Sequence, residues 1–187
     1  TAAATVRFTS LATGSTHTCG LTAGGEAYCW GYNAEGQLGQ VPVWGPWGDL
    51  GGQPAALTPQ RVSGGITFRS IVAGGTHTCG LSTASPAVTY CWGTYSINGS
   101  VNTPTAVSGA PAFASLYDGG SAICGLTDAG KAWCWGVNSY GQLGDGTTTW
   151  SSTPVAAAPS LTFTTLSVGY GEHSCGVTTA GPTYCWG

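Results

Sequence analysis

The 187-residue chain has only 6% charged residues and a formal charge of −3, against roughly 25% charged residues in an ordinary soluble domain, so surface polarity must come from Ser, Thr, Asn, Gln and the backbone. Its four cations, Arg7, Arg61, Arg69 and Lys131, are scattered singly and supply no field for holding phosphates, which excludes nucleic acid as a partner. No apolar run approaches the roughly 18 residues a spanning helix needs, so no transmembrane segment is expected.

The first ten residues, TAAATVRFTS, lack the shape of a signal peptide, and the chain contains no Met; both fit a processed product or excised fragment. The first expected strand is Phe8-Thr-Ser-Leu11, which leads to Gly14 and then to HTCGLTAGGEAYCWG, His17 to Gly31. Within that stretch two strands flank Ala23-Gly24-Gly25, a connection that permits positive φ and reads as a hairpin. Pairing about that turn sets Leu21 opposite Ala27 and Cys19 opposite Cys29, so a cross-strand disulfide is expected. Alternation places Tyr28 and Trp30 with Gly20 on the other face, which implies close sheet-on-sheet packing.

The unit returns three times. Phe68 leads through Gly74 to HTCGLSTASPAVTYCWG (His77 to Gly93), Phe113 through Gly119 to AICGLTDAGKAWCWG (Ala122 to Gly136), and Phe163 through Gly169 to HSCGVTTAGPTYCWG (His173 to Gly187). The same construction pairs Cys79 with Cys91 across a longer connection, Cys124 with Cys134, and Cys175 with Cys185. Eight cysteines locked to the repeat favour disulfides over catalysis and imply an oxidising compartment. Each bridge closes a loop worth about 2–3 kcal/mol in the chain-entropy model. No stretch shows helical periodicity, and Gly and Pro interrupt throughout, so the chain is expected to be all-β.

After Cys-Trp-Gly comes a polar turn, clearest at Asn33 to Gly39 (NAEGQLG) and at Asn138 to Gly144 (NSYGQLG), the latter followed by Asp145-Gly-Thr. With the Gly-x-x-His-Thr-Cys-Gly-Leu strands and a following Thr-Pro segment, this order resembles the repeats of the regulator of chromosome condensation family over nearly the whole chain. The resemblance implies a β-propeller with four-stranded blades of about 50 residues, usually seven to a ring. The second repeat departs from the pattern, with Thr94-Tyr-Ser-Ile-Asn-Gly-Ser in place of the turn. The paired cysteines look more like exported bacterial versions than nuclear ones.

A single repeat domain over 1–187 is expected, with approximate repeats 1–60, 61–108, 109–158 and 159–187, the last incomplete. The motif phenylalanines are 60, 45 and 50 residues apart, and wrapping Trp186 round to Phe8 leaves only about nine residues against 38, 21 and 28 for the internal Trp-to-Phe connections. A closed four-bladed ring would lack most of one connection. The expectation is an open arc, or a fragment of a larger six- to seven-bladed propeller, with apolar blade faces uncovered at its ends.

His17, His77 and His173 invite a metal reading because His-x-Cys places imidazole and sulfur on one strand face. Their repetition favours a framework role instead, each bonding a neighbouring blade's backbone, and Ala122 replaces the residue in the third copy. The seven acids, Glu26, Glu35, Asp49, Asp118, Asp128, Asp145 and Glu172, sit singly; Asp145 reads as a turn former. No catalytic motif, cofactor or metal is expected. The informative irregularity is the insertion Gln40 to Pro59, where Trp44, Trp47 and Asp49 lie among Gly and Pro; with Trp150, these are the candidate partner-binding residues. Asn98-Gly-Ser100 matches a glycosylation sequon.

These features point to a non-catalytic binding module, extracellular or periplasmic, that presents loops and rim to a protein or surface partner. A structural accessory subunit of a larger envelope or membrane-associated assembly is the second expectation, and a glycan-acting enzyme the third. The resemblance implies action through propeller faces, since family members include an exchange factor, chromatin binders and secreted β-lactamase inhibitors. Fold alone does not select among these.

Overall fold

The computed structural model describes residues 6–43, 54–94, 99–170 and 172–187, and every regular element among them is a β-strand. Blade 1 contains β1 (Ser10–Thr13), β2 (His17–Leu21), β3 (Ala27–Tyr32) and β4 (Ala55–Arg61). Blade 2 contains β5 (Phe68–Ala73), β6 (His77–Ser82), β7 (Thr89–Gly93) and β8 (Val101–Ala106). Blade 3 contains β9 (Ser115–Asp118), β10 (Ala122–Leu126), β11 (Ala132–Gly136) and β12 (Ser151–Ala157), and blade 4 contains β13 (Phe163–Val168), β14 (Ser174–Thr178) and β15 (Thr183–Trp186). Each blade is an antiparallel meander in chain order. The first strands converge: β1 and β2 meet β5, β5 and β6 meet β9, and β9 and β10 meet β13. They therefore line the inner rim of an arc. The outermost strands carry Pro59, Pro104 and Pro154, residues that cannot complete a ladder and so blunt an exposed edge.

The hairpin registers place Cys19 opposite Cys29, Cys79 opposite Cys91, Cys124 opposite Cys134 and Cys175 opposite Cys185. All four pairs are disulfides with Cα atoms 4.1 Å apart, and no described cysteine is free. The glycine after the first cysteine of each pair lets a ring lie flat on the sheet. A Cβ on Gly80 would come within 2.6 Å of the Phe68 ring, closer than packed atoms tolerate.

Blades stack unlike face on unlike face. The sulfur-bearing face of one blade, for example Cys19, Leu21, Ala27 and Cys29, packs against the aromatic face of the next, Phe68 and Trp92. Cys79, Leu81 and Cys91 meet Phe113 and Trp135 in the same way, and Cys124, Leu126 and Cys134 meet Phe163 and Trp186. Three interfaces thus repeat one solution, and both ends of the arc are left open. In blade 1, Phe8 stacks on Trp30 at 5.5 Å but is only half-buried, and Leu11 beside it is 62% exposed. In blade 4 the sulfur-bearing face is uncovered, with an apolar hollow lined by Leu166, Cys175 and Val177.

The hairpin ends are tied from blade to blade as well. Phe68 N donates to Gly25 O at 2.7 Å and Phe163 N to Gly130 O at 2.8 Å. Between blades 2 and 3 the longer connection changes the contact: Arg69 Nη2 reaches Phe113 O at 2.5 Å. A cation here serves as a backbone clamp.

Candidate functional site

At the end of the arc opposite the hairpin turns, the Asn-x-x-Gly-Gln-Leu-Gly turns lie between the third and fourth strands of blades 1 and 3 and reach the next blade through hydrogen bonds. Asn33 Oδ1 accepts from Leu38 N at 3.0 Å and Gln37 Oε1 from Glu35 N at 3.0 Å. That closes the turn on itself and aims the Gln37 carbonyl outward. Trp92 Nε1 and Thr78 Oγ1, both on blade 2, donate to this one oxygen at 3.0 Å. Gln142 repeats the arrangement for blade 4, accepting from Trp186 Nε1 and Ser174 Oγ, each at 3.0 Å. Blade 3 follows the turnless second repeat: Ile123 stands where the hydroxyl would be, and buried Trp135 Nε1 has no hydrogen-bond partner among the described residues.

His17 and His77 do face the next blade, but they meet its side chains rather than the backbone expected from the sequence. Thr78 Oγ1 uses its single proton on Gln37 O, so at 2.8 Å it must accept from His17 Nε2. This fixes a neutral His17 with a bare, buried Nδ1 that lacks a partner. Burial, and then the nearby His77, lower its pKa to about 4 against the opposing pull of Asp118. His77 Nε2 lies 2.8 Å from Asp118 Oδ2, without the aligned N–H of a hydrogen bond. His173 is exposed. Among the described residues no three His, Cys, Asp or Glu side chains group as metal ligands.

Because His17 titrates at about 4 when folded and at 6.5 ordinarily, the unfolded chain takes up the proton first as pH falls. Its contribution to stability is therefore complete above pH 6.5 and is lost progressively toward pH 4, by on the order of 2–3 kcal/mol. Urea melts between pH 4 and 7 should show this slope, and H17Q should flatten it.

A ring of equivalent positions crowns the inner rim: Ser15, Gly75, Gly120 and Tyr170 each follow a repeat glycine. Three are small, and the Tyr170 ring lies over them. Its Oη is 2.5 Å from Ser15 Oγ across the arc, and a Cβ on Gly120 would fall 2.6 Å from its ring. Beneath it is a cavity of about 330 Å³ lined by Thr13, Ser15, Gly74, Asp118, Gly120 and Tyr170. We call this end of the arc the mouth face.

Strand direction assigns every described charge to one of the two ends. Glu35, Asp118, Asp145 and Glu172 lie at the mouth, beyond the C-terminal ends of β3, β9 and β11 or before β14. All four cations lie at the hairpin end: Arg7 before β1, Arg61 closing β4, Arg69 starting β5 and Lys131 entering β11, with only Glu26 and Asp128 among them. Among the described residues the mouth thus carries a formal −4 and the hairpin end +2, with Asp49 outside them, a segregation invisible in the net charge of −3 for the whole chain. Glu35 ties turn to turn, accepting from Thr94 Oγ1 and Ser100 Oγ at 2.8 and 2.9 Å. Burial pushes the Asp145 carboxyl up, but hydrogen bonds from Thr147 and Asn138 outweigh it and hold the group below its ordinary value; Asp145 organises its own turn.

Of the sequence-derived candidates, Trp150 opens the approach to β12 on the mouth face and is partly exposed. Trp44, Trp47 and Asp49 lie outside the described residues, as does Asn98 of the sequon; the flanking residues Val43 and Pro54 belong to the mouth end. Tyr140, Tyr170 and Asp118 were not singled out from sequence. Their signal was available: each is where its repeat departs from the others, Tyr140 against Glu35, Tyr170 against Ser15 and Gly75, Asp118 against Thr13 and Ala73.

Two models of the family described as "Regulator of chromosome condensation (RCC1) repeat" match this chain, one over residues 8–37 and the other over 24–81 and 129–177. The chain is 29% identical over 192 residues to the ultraviolet-B receptor UVR8 of Arabidopsis thaliana, covering 97% of this chain and 41% of that protein. Among solved structures it is similar to human WBSCR16, with a TM-score of 0.75 at 22% identity over 97% of this chain and 48% of that one. It is also similar to yeast RCC1 (Prp20), solved bound to Kap60, with a TM-score of 0.70 at 22% identity over 87% and 40% of the two chains. The ectodomain of the Physcomitrella patens receptor kinase CR4 gives 0.60 at 26% identity, over 97% and 39%. The chain spans less than half the length of each of these relatives. Blades, registers and family matches agree, and the chain belongs to the regulator of chromosome condensation (RCC1) repeat family.

Proposed function

We propose that the chain is a non-catalytic, exported β-propeller module, extracellular or periplasmic, that presents its mouth face to a protein partner. The observation carrying this reading is that three of the four exposed aromatics among the described residues gather at the mouth, the fourth being Tyr184 on the last strand. Tyr140, Trp150 and Tyr170 stand at the mouth, solvent-exposed, while the framework rings Phe68, Trp92, Phe113 and Trp135 are fully buried between blades. Rigid aromatic groups on a fixed scaffold are the usual anchors of an interface. Trp44, Trp47 and Asp49, outside the described residues, are the further partner-binding candidates of this proposal. The four disulfides support an oxidising compartment. The related yeast protein RCC1 (Prp20) was solved bound to Kap60 and was also characterised for binding to Gsp1p and histones.

The test is capture of a defined partner from an extract of the source organism by immobilised chain. Replacing Tyr140 and Trp150 together by Ser should reduce recovery of that partner at least roughly tenfold, the weight of two modest anchors, with the melting temperature unchanged. Equal loss on replacing Asp128 at the hairpin end would count against the mouth.

The uncovered end faces favour a second reading, a structural subunit whose arc is covered within a larger assembly. Phe8, Leu11 and Trp30 present the surface that buries a neighbour's disulfide at three internal interfaces. Co-purification that persists at high salt would favour this reading.

A further inference from the structure

We infer that the cavity under Tyr170 receives a cationic side chain, Lys or Arg, projected by a basic segment of the protein partner. This rests on the reading of the mouth as the docking face and adds the chemistry of what docks there. Three independent features converge. The mouth carries four acids and, among the described residues, no Lys or Arg, whereas every cation of the chain sits at the opposite end. Charge complementarity therefore selects a basic surface over an acidic one. In the cavity wall the Asp118 side chain is 3% exposed, with its Oδ2 sealed from solvent 2.8 Å from His77 Nε2. Its Oδ1 accepts from Gly120 N at 2.8 Å and its Oδ2 faces His77, so the carboxylate is held in place in the cavity wall and acts on an entering cation through its charge. The third feature is the Tyr170 ring, which closes one side of the space, its hydroxyl anchored to Ser15.

An ammonium or guanidinium entering here would sit against an aromatic face with a buried carboxylate in the wall behind it, an environment of negative potential and a cation–π surface. The small residues Ser15, Gly75 and Gly120 make the room; a larger side chain at Gly120 would collide with the Tyr170 ring. A cavity of about 330 Å³ accommodates one long side chain rather than a folded element. The flanking aromatics Tyr140 and Trp150 are then positioned to pack on the peptide that carries it.

The probe is a hexalysine peptide, titrated into the folded chain and followed by calorimetry, with hexaglutamate and spermine as controls. Binding of hexalysine alone is expected, weakening as salt rises. D118N should weaken it roughly tenfold, the loss of one nearby buried negative charge. Because Asp118 is buried beside His77, Y170A is the second variant: that side chain is 72% exposed, so the fold should persist while affinity falls several-fold. D128N, at the hairpin end, should change nothing. No binding of hexalysine, or equal loss in D128N, would overturn the inference, and spermine binding as tightly as the peptide would overturn a protein segment as its source. The capture assay with Tyr140 and Trp150 replaced does not involve the cavity, so the docking face and the cation pocket can each fail alone.

Discussion

Replacing Trp92 by Ala is expected to destabilise the chain by about 3–5 kcal/mol, the range for truncating a fully buried large aromatic, while Trp30→Ala at the equivalent repeat position loses less than half of that. Trp92 is completely buried between blades 1 and 2 and donates to the Gln37 carbonyl. Its removal opens a void against Cys19, Leu21 and Leu38 and leaves a buried carbonyl with one donor fewer. Trp30 stacks on Phe8 at an uncovered face, so its loss removes far less buried surface. Urea denaturation of the two variants measures the difference directly. Trp92→Phe is the intermediate change: it keeps an aromatic ring in place but loses the hydrogen bond, about 1 kcal/mol, together with part of the buried ring, so its loss should fall between about 1 kcal/mol and that of Trp92→Ala.

Full reduction of the disulfides is expected to unfold the chain. Each closes 10 or 12 residues and contributes about 2–3 kcal/mol, so the four together rival the whole stability of about 5–15 kcal/mol typical of a folded domain. Reduction should also be ordered. Cys19, Cys29, Cys79, Cys91, Cys124 and Cys134 are all inaccessible to solvent, covered by the aromatic face of the next blade. Cys185 is exposed and Cys175 partly so. In the 187-residue chain, dilute reductant followed by alkylation and peptide mapping should therefore label Cys175 and Cys185 well before the other six. Uniform labelling would mean that the blades do not shield one another's sulfur.

The frame was legible because it is written four times. Cys-Gly-Leu, a short glycine turn and Cys-Trp-Gly are enough to set a register, and the observed pairing of Leu21 with Ala27 follows from turn length alone. The asymmetry of the blade faces was half-visible: alternation separates Cys19 from Trp30, but only assembled sheets show that one face is built to receive the other. The histidine partners were out of reach, because they depend on what the next repeat offers. His17 finds the hydroxyl of Thr78; His77 finds Ile123 at that place in blade 3 and turns to Asp118 instead. The division of charge was hidden for a related reason. Seven acids and four cations scattered along the sequence acquire ends only once each strand has a direction. Tyr170 then becomes conspicuous, since it fills a position where other repeats keep Ser or Gly.

The same comparison explains how a low-charge chain can still be selective. Framework contacts consume Gln37, Gln142, Thr78 and Ser174 in fixed roles, and Arg61, Arg69 and Lys131 bond to Glu26 or to backbone carbonyls at the hairpin end. At the mouth Glu35 and Asp118 contact the neighbouring blade and Asp145 holds its own turn, and the exposed rings stand among them. Electrostatic complementarity acts chiefly on partner choice and encounter rate, so a few like charges on one face suffice when no cation dilutes them.

Amide hydrogen exchange on the 187-residue chain tests the arc with two unlike, uncovered ends most directly. The account predicts slowest exchange in β6, β7, β10 and β11, which are sandwiched between blades, and much faster exchange in β1 and β15 at the open faces. Protection of β15 equal to that of β11, or uniform protection across all four blades, would contradict it.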